Sequence, residues 1–423
     1  MADGEAIEAS RAKAYIPQPE PGLTPDAIVA RAAAMRPLLR TQQDEADARG
    51  CYSDEVHEAF KKAGFYRILQ PKMFGGYEFD FPTFIRVVME ISRGHPATGW
   101  CFTLTASHAL VVGAHFPEEV QREIFGPEGD FRAPHRAPPT GTFTRVDGGY
   151  RVSGRWSYAS GIPVATHFIG GGLIREPGKP PRLVNIIVPR ANITILDDWG
   201  GGATLGMEGS GSNTVELTEV FVPDRHIFTE DILVTSEGFG AQDGQGARLH
   251  GNPMYLGVLG GFFHTTFGGI FTGAARAALD EYDEVAKATT AYRKPDTPRT
   301  HDRETQAPFG HALNLADCAE ALTLSVAQRF MDESAVAVRD GTPITPVQTM
   351  RLWDMGRQAS MMACEAIELL FRSSPVRAAN RGQKMQRYLR DVQMYRIHPS
   401  SQPWADLARA RAHWGLPIDR FGH

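Results

Sequence analysis

Between Pro134 and about Asp231 the patterning of this 423-residue chain turns from helical to extended and then back, and that double switch limits its fold more than any other feature. Runs such as Val184-Asn185-Ile186-Ile187-Val188 and Thr214-Val215-Glu216-Leu217 alternate there with Gly, Pro and Asp. Short β-branched runs bounded by such breakers predict strands. Ahead of them, Thr24 before Pro25 predicts a capped helix start, with Ile28, Met35, Leu38 and Leu39 at broadly helical spacing. Ser53 predicts the cap of a further helix that Gly64 ends. After Pro253, the stretches Gly273–Ala291 and Leu313–Val338 repeat small and branched apolar residues at helical spacing. The expected fold class is α+β: an N-terminal helical domain (1–133), a central β domain (134–236) and a C-terminal helical domain (237–423). The glycine- and glutamine-rich segment from Glu237 to Gly251 reads as a loop or lid.

Composition narrows the partners. A chain of this length with 42% hydrophobic residues can bury a large core. Its net charge of −5 gives no electrostatic reason to bind nucleic acid or an anionic membrane. Cys51, Cys101, Cys318 and Cys364 lie far apart, without the spacing of a disulfide framework or a thiolate metal site. No stretch approaches the ~20 apolar residues that span a bilayer, so a soluble cytoplasmic protein is expected. Gly170-Gly171-Gly172 and Gly200-Gly201-Gly202 lack dinucleotide-loop spacing, and neither His-Glu-x-x-His nor Gly-x-Ser-x-Gly occurs. No metal site is expected.

Inside the extended region, Asp147-Gly148-Gly149-Tyr150 reads as a tight hairpin turn. The strand that follows ends in Gly154-Arg155-Trp156-Ser157-Tyr158-Ala159-Ser160-Gly161. A small hydroxyl beside large aromatics at a strand end suits a flat isoalloxazine, which needs one hydrogen-bond partner at its reactive nitrogen and walls against its face. Tyr158, Ala159 and Ser160 fall on the aromatic-x-Thr/Ser triplet of the acyl-CoA dehydrogenase superfamily, which the chain resembles. The likeness is greatest to that superfamily's flavin-dependent monooxygenases, including two-component aromatic hydroxylases. Its further pieces are Phe65–Pro71 with Gly75-Gly76, Trp100-Cys101 with His108, Gly206–Ser212 with Val220–Pro223, and Arg390-Asp391 with His398.

The resemblance implies an acyl-CoA dehydrogenase-like fold, with a central β-barrel or sandwich and a C-terminal four-helix bundle, assembled as a homotetramer. It also implies an oxygenase component that takes FMNH2 or FADH2 from a separate NAD(P)H-dependent flavin reductase. With O2, such a protein hydroxylates a small aromatic molecule, phenolic or polyketide-like, via a flavin hydroperoxide.

On this reading Ser160 meets the flavin's central nitrogen, with Tyr158 and Gly161 beside the ring; on residues alone, Ser160 satisfies backbone groups at a strand end. His398 reaches the flavin edge as a proton donor, although alone it reads as a helix cap before Pro399. His108 faces the aromatic substrate and accepts a phenol's proton, although alone it reads as a core histidine. Trp100 and His135 line the substrate pocket, and His135-Arg136 suits an acidic or polyphenolic substrate or a solvated turn. Arg293 is placed on the flavin phosphate of a neighbouring subunit, or is solvated. Alternatives are N-oxygenation of an amine or amino sugar, acyl-CoA dehydrogenation with Glu365 or Glu368 as base, and a non-catalytic flavin-binding scaffold.

Overall fold

The computed structural model describes residues 14–228 and 244–418. Among the described residues, eight helices come first: α1 (Pro25–Ala34), α2 (Arg36–Thr41), α3 (Gln43–Arg49), α4 (Asp54–Ala63), α5 (Phe81–Gly94), α6 (Pro96–Ala106), α7 (Ala109–His115) and α8 (Glu118–Phe125). Local chemistry sets their ends where capping residues stand. The Thr24 hydroxyl accepts from the Ala27 amide and the Ser53 hydroxyl from the Val56 amide, so both helix starts gain a partner for an orphan N–H. Gly64 closes α4 in the left-handed region.

Seven strands follow: β1 (His135–Val146), β2 (Gly149–Trp156), β3 (His167–Ile174), β4 (Arg182–Pro189), β5 (Thr194–Ile195), β6 (Val215–Pro223) and β7 (Ile227–Phe228). They form the expected central β domain, one mixed sheet in the order β5-β6-β2-β1-β3-β4-β7. β1 serves two partners in turn. Its first half runs parallel to β3, its second half antiparallel to β2 through the Asp147-Gly148 turn, and the register shifts between Arg136 and Gly141. Both halves of the sheet share one core around Trp156, which packs on Phe168 at 5.5 Å and donates to the Gly171 carbonyl. Gly141, Gly154 and Gly170 leave room for that indole, since a Cβ on any of them would press on its ring.

The chain then returns to helix: α9 (Gln245–His250), α10 (Gly260–Ala288), α11 (Arg303–Asp340), α12 (Pro346–Ser373), α13 (Lys384–Arg396) and α14 (Trp404–His413). Between α10 and α11 stands a small hairpin, β8 (Thr290–Ala291) and β9 (Lys294–Pro298). Of the segment expected as a loop or lid, residues 237–243 lie outside the described residues, and Gln245–His250 forms α9 instead. The two helical regions do not keep separate cores. Phe81 of α5 packs against Phe262 of α10 at 4.4 Å and Phe330 of α11 at 5.3 Å, within one apolar cluster.

A buried polar clamp ties α13 to α3. Arg387, 5% exposed, donates to Asp47 (2.8 Å), to Gln43 (2.9 Å) and to Asp44. A guanidinium withdrawn this far from water is tolerated because carboxylates and an amide oxygen replace the solvent. Replacing Arg387 with Met leaves the buried Asp47 carboxylate without its main counter-charge, so a loss of about 3–5 kcal/mol is expected. A guanidinium chloride unfolding curve measures it; an unchanged midpoint would show that the clamp adds nothing.

Candidate active site

The chain past β2 makes a tight turn rather than continuing as a strand. Tyr158 adopts φ +61° and stands 54% exposed, its ring edge-on to Trp199 at 5.6 Å. A bulky residue in the left-handed region is uncommon and persists where its surroundings hold it. Those surroundings are backbone hydrogen bonds: the Ala159 amide donates to Asn213, and the Gly161 amide to Ser210 and Gly211. Gly161 has φ +89°, and a Cβ there would sit 2.0 Å from the Thr105 hydroxyl, so only glycine fits. Between them, Ser160 is 6% exposed. Its Oγ accepts from the Trp100 indole at 2.9 Å and lies 2.8 Å from the Ser212 hydroxyl, which lies 2.7 Å from Ser210.

The loop that carries Ser210 and Ser212 is itself held by α13. Met207 is left-handed at φ +55°, and its amide donates to Asp391 at 2.6 Å. Arg390 donates to the Leu205 carbonyl and to Glu208. From the other side, Asp47 of α3 accepts from the Gly209 amide at 3.2 Å. Burial, and next the nearby Asp47 charge, push the Asp391 carboxyl up to about 7.

Two histidines face each other's neighbourhood along one side of α10. His108 lies in the break between α6 and α7, not within a helix, and its Nδ1 donates to the Leu104 carbonyl at 2.7 Å. Burial lowers it to about 4, outweighing the Leu104 and Ala133 carbonyls. It is therefore neutral near pH 7, with its proton on Nδ1 and a lone pair on Nε2. His398 follows α13, and its Nδ1 accepts from the Ser400 amide at 3.2 Å. Burial, and secondarily Arg136, bring it to about 4 as well. Its neutral ring therefore carries the proton on Nε2. Phe263 packs on His108 at 5.4 Å and Phe267 on His398 at 5.5 Å. These phenylalanines are four apart on α10, so they share a face. Trp100 completes the wall, stacked on Phe267 at 5.0 Å and edge-on to His398 at 5.6 Å.

The fold thus gathers Trp100, His108, His135, Ser160, Gly161 and His398 from four segments. His135 packs edge-on against His108 at 5.7 Å and bonds Asn185 at 2.9 Å. Tyr158 is at the rim. Arg293 is not in this group: it is exposed at the tip of the β8–β9 hairpin, with no hydrogen bond or ion pair among the described residues. Sequence reasoning missed the roles of Ser210, Ser212, Phe263 and Phe267. The Ser210-Gly211-Ser212 alternation and the i, i+4 phenylalanines were the available signals. It also treated Cys51 and Cys101 as distant, although their sulfurs lie 3.7 Å apart as free thiols.

A flavin ring fits this setting. Ser160 offers a fixed hydroxyl, Trp100 and Phe267 give flat apolar walls, and the buried Trp199 Nε1 has no partner among the described residues. Ser160, Tyr158, Trp199 and His398 are the residues that would hold it.

The buried histidines carry a pH signature. Burial holds His108, His167, His250 and His398 at about 4 and His264 at about 3, below the ordinary 6.5. From about pH 6.5 down to 4 the unfolded chain binds protons on these rings that the folded chain refuses, so stability falls with pH across that window and levels off above it. Asp391, raised to about 7, acts oppositely, favouring the fold at low pH and losing that contribution as pH rises through 7. It opposes five histidines with one proton, so urea midpoints should drop from pH 7 to pH 5. Midpoints equal at both would contradict the burial of these rings.

The N-terminal domain model of acyl-CoA dehydrogenases matches residues 29–128, and the C-terminal domain model matches residues 265–403. The oxygenase subunit HsaA, a flavin-dependent monooxygenase of Rhodococcus jostii (strain RHA1), is 28% identical over 92% of this chain and 98% of its own length. The oxygenase component of the FADH(2)-dependent resorcinol hydroxylase of Rhizobium sp. (strain MTP-10005) is 27% identical over 63% of this chain and 64% of its own. Among solved structures, the 3-HSA hydroxylase from Rhodococcus sp. RHA1 superposes with a TM-score of 0.82 at 27% identity, covering 93% of this chain and 98% of that one. The chain belongs to the acyl-CoA dehydrogenase superfamily, in its branch of flavin-dependent monooxygenases.

Proposed function

We propose that this protein is the oxygenase component of a two-component flavin-dependent monooxygenase that hydroxylates a small phenolic or polyketide-like aromatic molecule. The carrying observation is the opposite tautomers of His108 and His398 beside one aromatic-walled recess, with Ser160 held between Trp100 and Ser212. Reduced flavin, FMNH2 or FADH2, supplies when bound the electrons that activate O2. The hydroxyl of Ser160, kept in place by Trp100 and Ser212, would be the hydrogen-bond partner for the ring nitrogen. Trp100, Phe263 and Phe267 keep water from the recess, which strengthens every hydrogen bond made inside it. His108 Nε2 accepts the phenol's proton and so raises electron density on the carbon to be hydroxylated. His398 Nε2 donates to an oxygen atom at the flavin edge.

Neither carboxylate proposed as a dehydrogenation base is placed to serve as one. Glu368 is engaged by Arg396 through two contacts of 2.9 Å and by Gln393, and Glu365 is exposed on α12. The contact of His108 with His135 and Phe263 favours phenol activation over N-oxygenation. The proposal includes an NAD(P)H-dependent flavin reductase as transient partner, a homotetramer in which Arg293 meets a neighbour's flavin phosphate, and a cytoplasmic location. Among the described residues no helix is long and apolar enough to cross a membrane.

Two sets of variants test the assignments. In Ser160→Ala and His398→Ala, reduced flavin and O2 should still be consumed, with more hydrogen peroxide released and less product; unchanged product yield in both would remove their roles. For His108→Ala, flavin binding should persist while phenol turnover falls by about 10²–10⁴, the usual worth of a positioned base. A preserved turnover rate would end its assignment as base.

A further inference from the structure

Arg136 is the charged side chain of this cleft that the hydroxylase reading leaves without a task. It stands on β1 next to His135, whose ring abuts His108. Its charge is felt by His398, whose pKa it lowers, and it feels Tyr158 at the rim. The Nε is buried, and no nitrogen of the side chain has a hydrogen-bond or ion-pair partner among the described residues. Arg136 as a whole is half-buried, whereas the fully buried arginines all have carboxylate partners: Arg132 pairs with Asp130, Arg357 with Asp354 and Asp406, Arg387 with Asp44 and Asp47. Withdrawing a guanidinium from water without an acceptor is costly, and burial indeed lowers the Arg136 pKa with no carboxylate to offset it.

The missing counter-charge therefore arrives with a ligand. Two anions enter such a cleft, the flavin and the substrate. Arg136 follows His135 on β1 and lies close enough to His398 for its charge to be felt there, and a guanidinium fork matches a carboxylate in plane and spacing. With His108 occupied by the phenol, a cation nearby suits the other end of an acidic substrate. Resting on the hydroxylase reading above, we propose that Arg136 determines specificity by pairing with a carboxylate on the substrate, so that phenolic acids are preferred over neutral phenols.

The test compares 4-hydroxybenzoate, 4-hydroxyphenylacetate and 4-hydroxycinnamate with their amides, titrated without oxygen into the protein loaded with reduced flavin. At least one acid should bind about tenfold or more tightly than its amide, the lower range for a charge-assisted hydrogen bond. Arg136→Gln should erase that preference with reduced-flavin affinity changed less than about twofold, and Arg136→Lys, which keeps the charge but not the fork, should retain part of it. Equal binding of every acid and its amide overturns the proposal, as does a preference that survives in Arg136→Gln. Loss of flavin affinity in step with acid affinity, in a variant whose unfolding midpoint is unchanged, assigns the cation to the flavin and overturns it too. Turnover separates the two readings: acids that bind preferentially while no aromatic is hydroxylated defeat the hydroxylase reading and leave Arg136 on a carboxylate.

Discussion

The hydrogen bond from the Met207 amide to the buried Asp391 carboxylate is the contact on which the site depends. It holds a left-handed residue in place at the start of a loop that touches all three parts of the fold. Arg390 grips the same loop through Leu205 and Glu208, and Asp47 holds it at Gly209. Directly beyond Gly209, Ser210 and Ser212 lead to Ser160, and backbone bonds from Gly161 and Ala159 lock the turn after β2 onto the loop. A hydroxyl on a free turn would sample several rotamers. Here it is held because α13, α3 and the sheet converge on one short segment.

The same convergence decides protonation. His108 is neutral because burial costs its cation more than the Leu104 and Ala133 carbonyls return, and His398 because burial, with the Arg136 charge added, disfavours its cation. Their tautomers differ because one ring donates to a carbonyl and the other accepts from an amide. Two side chains of one type thus become an acceptor and a donor, separated along α10 by the Phe263 and Phe267 rings. The unpaired Arg136 adds the one strong field in the recess, and it is the feature by which this cleft would discriminate among aromatic ligands.

Much of the site was legible in the chain because its residues sit at places where local chemistry and motif agree. Ser160 follows an aromatic at the end of a β-rich run, and His398 precedes a proline after a helix, so both were found. In the fold His398 caps the start of the turn that follows it, rather than the end of the helix before it. Arg390-Asp391 was visible as a motif, but its partner, the 205–208 loop, is too remote in the chain for spacing to show the clamp. Arg293 illustrates the opposite case: a local motif on an exposed hairpin, apart from the other candidate residues. The strand order itself was not legible, because pairing a strand with different neighbours along its length, as β1 does, leaves no local pattern.

What the sequence determined by itself was the alternation of helix, strand and helix, the capped helix ends and the residue types available for chemistry. Caps, breakers and periodicity act over a few residues, so they can be read without the fold. Tertiary structure alone decided which face each group meets: that Trp100 donates to Ser160, that the two histidines take opposite tautomers, and that Arg136 has no carboxylate beside it. Such outcomes depend on burial and on partners tens to hundreds of positions away, and hydrogen bonding and desolvation respond to distance in space rather than along the chain.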